Sequence, residues 1–200
     1  MCSPKSEISR NQFMMRWVLL LFSQIILAIK PVSSIDLKRY SGLWYEIAHL
    51  PDSFETHCVQ NTSEYKINKK GSFVLIKKCF KKDGRVVKAK AISRIEKNEI
   101  NSKLSINFMP SWLLWSGIGW EDHWIIDIDP HYQYAVISVP EKNYLWILSR
   151  KPSMPQPVYE GLLAKLEAFH FHLSHLIVSG EIVSTTQNSK QLEPRASLYR

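Results

Sequence analysis

Three side chains able to move a proton or hold a charge, Tyr45, Glu46 and His49, stand close together in the stretch GLWYEIAHLP, residues 42–51. A carboxylate beside an imidazole is a common pairing for general acid–base work, and a phenol could add a further donor. That chemistry needs the groups on one surface. Read as a strand, the stretch alternates its side chains between two faces. Glu46 then shares a face with Trp44 and Ala48, while Tyr45, Ile47 and His49 take the other, so acid and base are separated. A carboxylate turned inward costs several kcal/mol unless paired or protonated. Glu46 is therefore expected either to make a structural hydrogen bond or to contact the polar group of a ligand.

Other chemistry-bearing groups are sparser. HFHLSH brings His170, His172 and His175 together, but without a carboxylate or thiol they read as surface histidines and not as a metal site. No nucleophile elbow, phosphate-binding loop or dinucleotide fingerprint occurs, which favours a binding protein over an enzyme and implies no cofactor. NTS at Asn61 is a glycosylation sequon, relevant only in a eukaryotic host. The net charge of +8 falls to +5 once residues 1–34 are set aside, and the lysines are scattered. That argues against a nucleic-acid partner and leaves weak attraction to an anionic membrane surface.

Residues 1–34 have the form of a secretory signal: Arg10 and Arg16, then the apolar run Val18–Ile29, then KPVSS before a cut near Ile35. The run is short for a hydrocarbon core of about 30 Å. Export makes Cys58 and Cys79 an even pair in an oxidising compartment. They flank the turn NKKG, residues 68–71, and should lie almost opposite each other on neighbouring strands. A bridge there contributes on the order of 3 kcal/mol; two buried free thiols are the alternative.

These residues must be positioned by strands. Alternating segments run over Leu43–Leu50, Cys58–Ile67, Ser72–Lys81, Arg85–Arg94, Asn101–Met109, Trp120–Ile128, Tyr134–Val139 and Tyr144–Arg150, separated by turn signals such as KKDG, EKNE and PEKN. Eight such strands predict an all-β sandwich or an up-and-down barrel. After KPSMPQP, the residues Val158, Leu162, Leu163, Leu166 and Phe169 recur at helical spacing, with Ser153 as a candidate cap and Pro155 or Pro157 suited to the first turn. The helix should lie outside the sheet. Ser174–Ser179 could add an edge strand, and residues 180–200 read as a flexible tail, leaving 35–179 as one domain.

DLKRYSGLWYEIAHLPDSFE resembles the opening signature of the lipocalins, a glycine, a variable residue and then tryptophan. DPHYQYAVIS is similar to their second conserved region, and NYLWILSR carries the arginine of the third, Arg150. The resemblance runs from about Ile35 to Val178 and is strongest to the bacterial outer-membrane lipocalins of the Blc type, related to apolipoprotein D. It implies an eight-stranded antiparallel up-and-down β-barrel with one C-terminal α-helix packed outside and a ligand cavity open at one end. It also implies a carrier of fatty acids or lysophospholipids, monomeric or homodimeric, serving transport, storage or maintenance of the cell envelope. Such a protein would be periplasmic or associated with the outer membrane in a bacterium, and secreted otherwise. The lipid-anchor cysteine usual in that group is missing after the apolar run.

On this frame Trp44 and Arg150 close the narrow end, with Gly42 admitting close backbone approach beside them. Cavity candidates are Glu46, Phe108, Trp124, Tyr134 and Trp146, with Phe54 from the first mouth loop; each could equally be core filler. PSWLLWSGIGW, residues 110–120, places Trp112 and Trp115 in a mouth loop where polar residues are expected. Such a loop folds over the ligand, dips into lipid, or fills its own cavity. Burying a 16-carbon chain releases roughly 12 kcal/mol at about 0.8 per methylene, which leaves micromolar or tighter binding after association costs. An enzyme on the same fold acting through Glu46, or a pigment- or haem-binding protein, are the other functions this sequence accommodates.

Overall fold

A computed structural model of the chain describes residues 29–52, 57–69, 71–95 and 99–184. Eight strands follow one another: β1 (Gly42–His49), β2 (Cys58–Ile67), β3 (Phe73–Lys81), β4 (Val86–Ile95), β5 (Lys103–Asn107), β6 (Glu121–Ile128), β7 (Tyr134–Ser138) and β8 (Leu145–Ser149). Each pairs antiparallel with the next, and β1 pairs with β8, which closes the barrel and chooses it over the sandwich. Alternation does the local work: in β3 the buried positions are Phe73, Leu75, Lys77 and Cys79. A one-turn helix, α1 (Leu37–Tyr40), precedes β1 and is capped by Asp36, whose Oδ1 accepts the amides of Lys38 and Arg39 at 2.8 and 3.1 Å.

Two apolar layers form. Inside, Tyr40, Trp44, Tyr65, Phe73, Leu75, Leu104, Ile125, Ile137 and Leu148 pack together. Outside, Ile47, Ala48, Val136, Leu145, Ile147 and Met154 pack under Leu162 and Leu166 of helix α2 (Gln156–Ala168). The helix lies against the barrel's exterior as its apolar spacing predicts. Pro155 occupies the N-cap position and Pro157 the first turn. Ser153 does not cap, because it belongs to the short strand β9 (Ser153–Pro155).

Residues 177–183, after the helix, form strands where the polar composition from Gly180 predicts a tail. β10 (Ile177–Val178) pairs with Ala48 and His49 of β1, whose pairing with β2 covers only Gly42–Tyr45. The amides of Ser179 and Gly180 both donate to the Ile47 carbonyl, at 2.9 and 3.0 Å. A Cβ on Gly180 would stand 2.6 Å from Ile47 Cδ1, so the close approach requires glycine. β11 (Glu181–Val183) then pairs in parallel with β9. The fold therefore extends past Gly180, where a tail was expected. It also reaches upstream of Ile35: Ile29 is buried in the outer layer, and the Val32 amide donates to the Ile125 carbonyl at 2.9 Å. The apolar run before Ile29 lies outside the described residues.

Cys58 and Cys79 form a disulfide with Cα atoms 5.4 Å apart. They are diagonal partners and not direct ones. Cys79 faces Asn61 and Cys58 faces Lys81, with a register shift between Cys58 and Gln60.

Candidate functional site

A cavity of about 570 Å³ opens within the barrel, inside the roughly 300–1,000 Å³ range typical of small-molecule sites. Its lower wall is Tyr65, Leu75, Ile106, Ile137 and Leu148, contributed by the inward positions of β2, β3, β5, β7 and β8. Its upper wall holds Lys77, Trp146, Val139 and Phe108, and acidic residues Asp52, Glu121, Asp122 and Glu141 stand at the mouth.

The floor is sealed beneath it. Trp44 is wholly buried, and its Nε1 donates to the Tyr40 carbonyl at 2.8 Å. The Arg150 guanidinium lies 3.7 Å over the indole centroid. Its nitrogens donate to four backbone carbonyls: Leu43 (2.9 Å), Arg39 (2.5 Å), Tyr40 (3.1 Å) and Tyr132 (3.2 Å). Gly42 adopts φ +99°, a backbone conformation that calls for glycine, and stands in van der Waals range of Arg150 Nη1.

Glu46 and His49 are not separated as strict alternation predicts. Between Glu46 and Ala48 the register of β1 against β8 shifts by one residue. Ile47 and Ala48 both pack in the outer layer, so Glu46, opposite Leu148, and His49, opposite Trp146, face the same way. Glu46 Oε1 lies 2.6 Å from His49 Nδ1 and accepts from Asn61 Nδ2 at 2.9 Å. Burial pushes the Glu46 carboxyl up, but the bonds to His49 and Asn61 and the Lys77 charge outweigh it and hold it below the usual range. The acid–base pair that alternation separates is thus assembled by a bulge. It sits behind the cavity wall: none of the three residues lines the cavity, so Glu46 serves as an internal polar tie. Asn61 is only 2% exposed, which buries the sequon.

Phe108 and Trp146 line the cavity as the sequence predicts. Trp124 and Tyr134 do not; they pack in the outer layer. The inward positions of β6 are His123 and Ile125, and those of β7 are Ala135 and Ile137. Helix α2 makes the exterior of these strands apolar too, so residue type alone cannot identify the inner face. Trp112 and Trp115 are 70% and 85% exposed on a 3-10 turn, Ser111–Ser116, and neither lines the cavity. They neither fold over the cavity nor fill a pocket of their own. Phe54 lies outside the described residues. His170, His172 and His175 are exposed, and no metal-ligating cluster occurs among the described residues.

Among the site residues that escape the sequence reading are Lys77, His123 and Tyr65. The Lys77 ammonium lies 4.7 Å over the Trp146 ring and 3.9 Å from Asp52 Oδ2. His123 Nε2 and the Tyr65 hydroxyl share a 2.9 Å hydrogen bond. Burial, aided by the Lys77 charge, pulls the His123 pKa down to about 3, so the imidazole is neutral. A signal for Lys77 was present: in FVLIKKCF a lysine interrupts the apolar face Phe73, Leu75, Cys79.

Residues 35–181 match the family model described as a lipocalin-like domain. The chain is 30% identical over 147 residues to temperature-induced lipocalin-1 of Arabidopsis thaliana, covering 72% of this chain and 78% of that protein. It is 27% identical over 152 residues to the outer membrane lipoprotein Blc of Vibrio cholerae, covering 75% and 85%. Among solved structures, insecticyanin of the tobacco hornworm Manduca sexta superposes with a TM-score of 0.57 at 19% identity, covering 78% of this chain and 89% of that one; this shows the fold alone.

Proposed function

The chain belongs to the lipocalin-like family, whose members bind small hydrophobic ligands, and from that premise we propose that it carries single-chain lipids, fatty acids or lysophospholipids, without covalent chemistry. The observation that carries this reading is the cavity of about 570 Å³, apolar below and open above, over a floor whose polar groups are spent on the backbone. An alkyl chain gains about 0.8 kcal/mol per methylene buried there. Extraction and mass spectrometry of ligand carried by the purified protein tests it. A fatty acid or lysolipid at stoichiometric yield supports the reading, and a chromophore in its place rejects it.

The site of exchange is a lipid surface met by the mouth. Trp112, Trp115 and Ile118 present their side chains to solvent there, and indole favours the membrane interface. Exposed Lys82, on the turn between β3 and β4, and Lys88 of β4, which pairs with β5, supply charge complementary to anionic lipid. The similarity to an outer membrane lipoprotein supports an exported protein working beside a membrane, periplasmic or at the outer membrane in a bacterium and secreted otherwise. Trp112→Ala with Trp115→Ala should weaken binding to anionic liposomes in a flotation assay and leave ligand affinity unchanged. Undiminished flotation rejects the membrane contact.

A further inference from the structure

The barrel wall is interrupted beside β4. On one side β4 pairs with β3 from Val86 to Ile92. On the other, only Ile92–Ile95 pair with β5, which ends at Asn107 opposite Ile92. β6 begins at Glu121, opposite Ile106, so neither strand extends alongside Val86–Ala91. Asn107 sets the point where the ladder stops. Its Oδ1 accepts the Met109 amide at 2.7 Å and its Nδ2 donates to the Ile118 carbonyl at 2.8 Å. This Asx turn leads the chain off the sheet, and Pro110 then has no amide to offer β4.

The notch opens into the cavity. Ala89 on one bank and Phe108 on the other both line it. Val87 faces the interior, directly opposite buried Cys79, yet is 43% exposed; Phe108 and Met109 are each 40% exposed. Apolar groups on both banks therefore meet solvent where no backbone ladder closes the wall. The surroundings are sorted by charge. On the outer face beside the notch, Lys78 and Lys88 are direct cross-strand partners and Lys90 follows on the same face. Like charges set opposite each other are unfavourable unless an anion lies across them. Trp112, Trp115 and Ile118 project from the segment bounding the other bank. The rim instead carries Asp52, Glu121, Asp122 and Glu141. An anionic bilayer attracts the lysine-bearing side and repels the acidic rim, which turns the notch toward lipid.

We propose that the notch between Val86–Ala91 and the 108–120 segment is a lateral portal, through which a single-chain lipid passes between an anionic membrane and the cavity. The alkyl chain crosses the wall between Ala89 and Phe108 and not over the acidic rim, moving from bilayer to apolar lining without exposure to bulk water. The inference rests on the carrier reading above and adds the route of exchange.

A portal sets rates and not equilibrium, because entry and exit share one barrier. Val87 stands in the notch outside the cavity lining, so Val87→Trp narrows the passage and leaves the binding site intact. The probe is a fluorescent fatty acid, taken up from vesicles of phosphatidylcholine and phosphatidylglycerol and released to serum albumin, both followed by stopped flow. Val87→Trp should slow uptake and release alike by about tenfold and leave the Kd within about twofold of the wild type. Should Val87→Trp fail to fold, Met109→Cys carrying a cyclohexyl maleimide adduct obstructs the notch from the other bank, against wild-type protein treated alike. Unchanged rates place entry at the rim and overturn the portal while leaving the carrier intact. Slower uptake with unchanged release assigns the effect to the membrane contact, and a weakened Kd with faster release assigns it to the cavity; each overturns the portal as well. Failure of the wild-type protein to bind the fatty acid overturns the carrier reading and the portal with it.

Discussion

Two of the cations that lie over indoles in this barrel, Arg150 and Lys77, do opposite things. At the floor, Arg150 lies 3.7 Å over Trp44 and donates to four backbone carbonyls from three separate segments. Higher up, Lys77 lies 4.7 Å over Trp146, with its ammonium on the cavity surface. A guanidinium offers a rigid fork that fixed carbonyls can satisfy completely, and a lysine is a point charge on a flexible stem. The first pair closes the barrel; the second faces whatever enters it. A cation–aromatic pair therefore reveals its role through the remaining partners of the cation and not through the pair itself.

The contrast can be broken in order of expected effect. Trp44→Ala removes a fully buried indole and the surface on which Arg150 rests, and should cost about 3–5 kcal/mol in urea denaturation. A loss below about 1 kcal/mol would make the floor pair ornamental. Opening the Cys58–Cys79 bridge with paired serines should cost roughly 3 kcal/mol, loosening the wall next to Lys77 while sparing the floor. Unchanged stability would show that the bridge constrains nothing in the unfolded chain.

Acid sharpens the comparison from the inside. His123 has a pKa of about 3 in the fold against an ordinary 6.5, so the unfolded chain takes up its proton first as pH falls. Its contribution to stability is full above pH 6.5 and is lost progressively toward pH 3, by roughly 1.4 kcal/mol per pH unit at most. Glu46, held below its ordinary 4.5, acts in the same direction at lower pH. His123→Gln should flatten the slope between pH 6.5 and pH 4.5, where Glu46 contributes little. An unaltered slope would assign the acid sensitivity elsewhere. The smallest effect on stability belongs to Trp112 and Trp115, whose exposed rings should change it by no more than about 0.5 kcal/mol on truncation, whatever happens to liposome binding.

Much of this could be read in advance. The eight strands, the outer helix and the Trp44–Arg150 floor follow from alternation, turn residues and three signature segments, because those signals are local or carried by motifs. The cavity was half legible. Phe108 and Trp146 stand where expected, but Trp124 and Tyr134 face outward, and Lys77 and His123 take inner positions that size and hydrophobicity would assign to other residues. On strands apolar on both faces, composition stops distinguishing inside from outside.

The stretch GLWYEIAHLP shows where the division falls. Its sequence determined that a strand starts at a glycine, carries a tryptophan to the floor and buries a carboxylate two residues later. Only the tertiary structure decided that Glu46 meets His49. The bulge at Ile47 that brings His49 onto the face of Glu46 presents its carbonyl to Ser179 and Gly180, more than a hundred residues along the chain. Alternation has a period of two and no memory, so a single inserted residue reverses every later face. The partners that hold that residue in place come from a segment brought alongside only when the barrel closes and the helix docks.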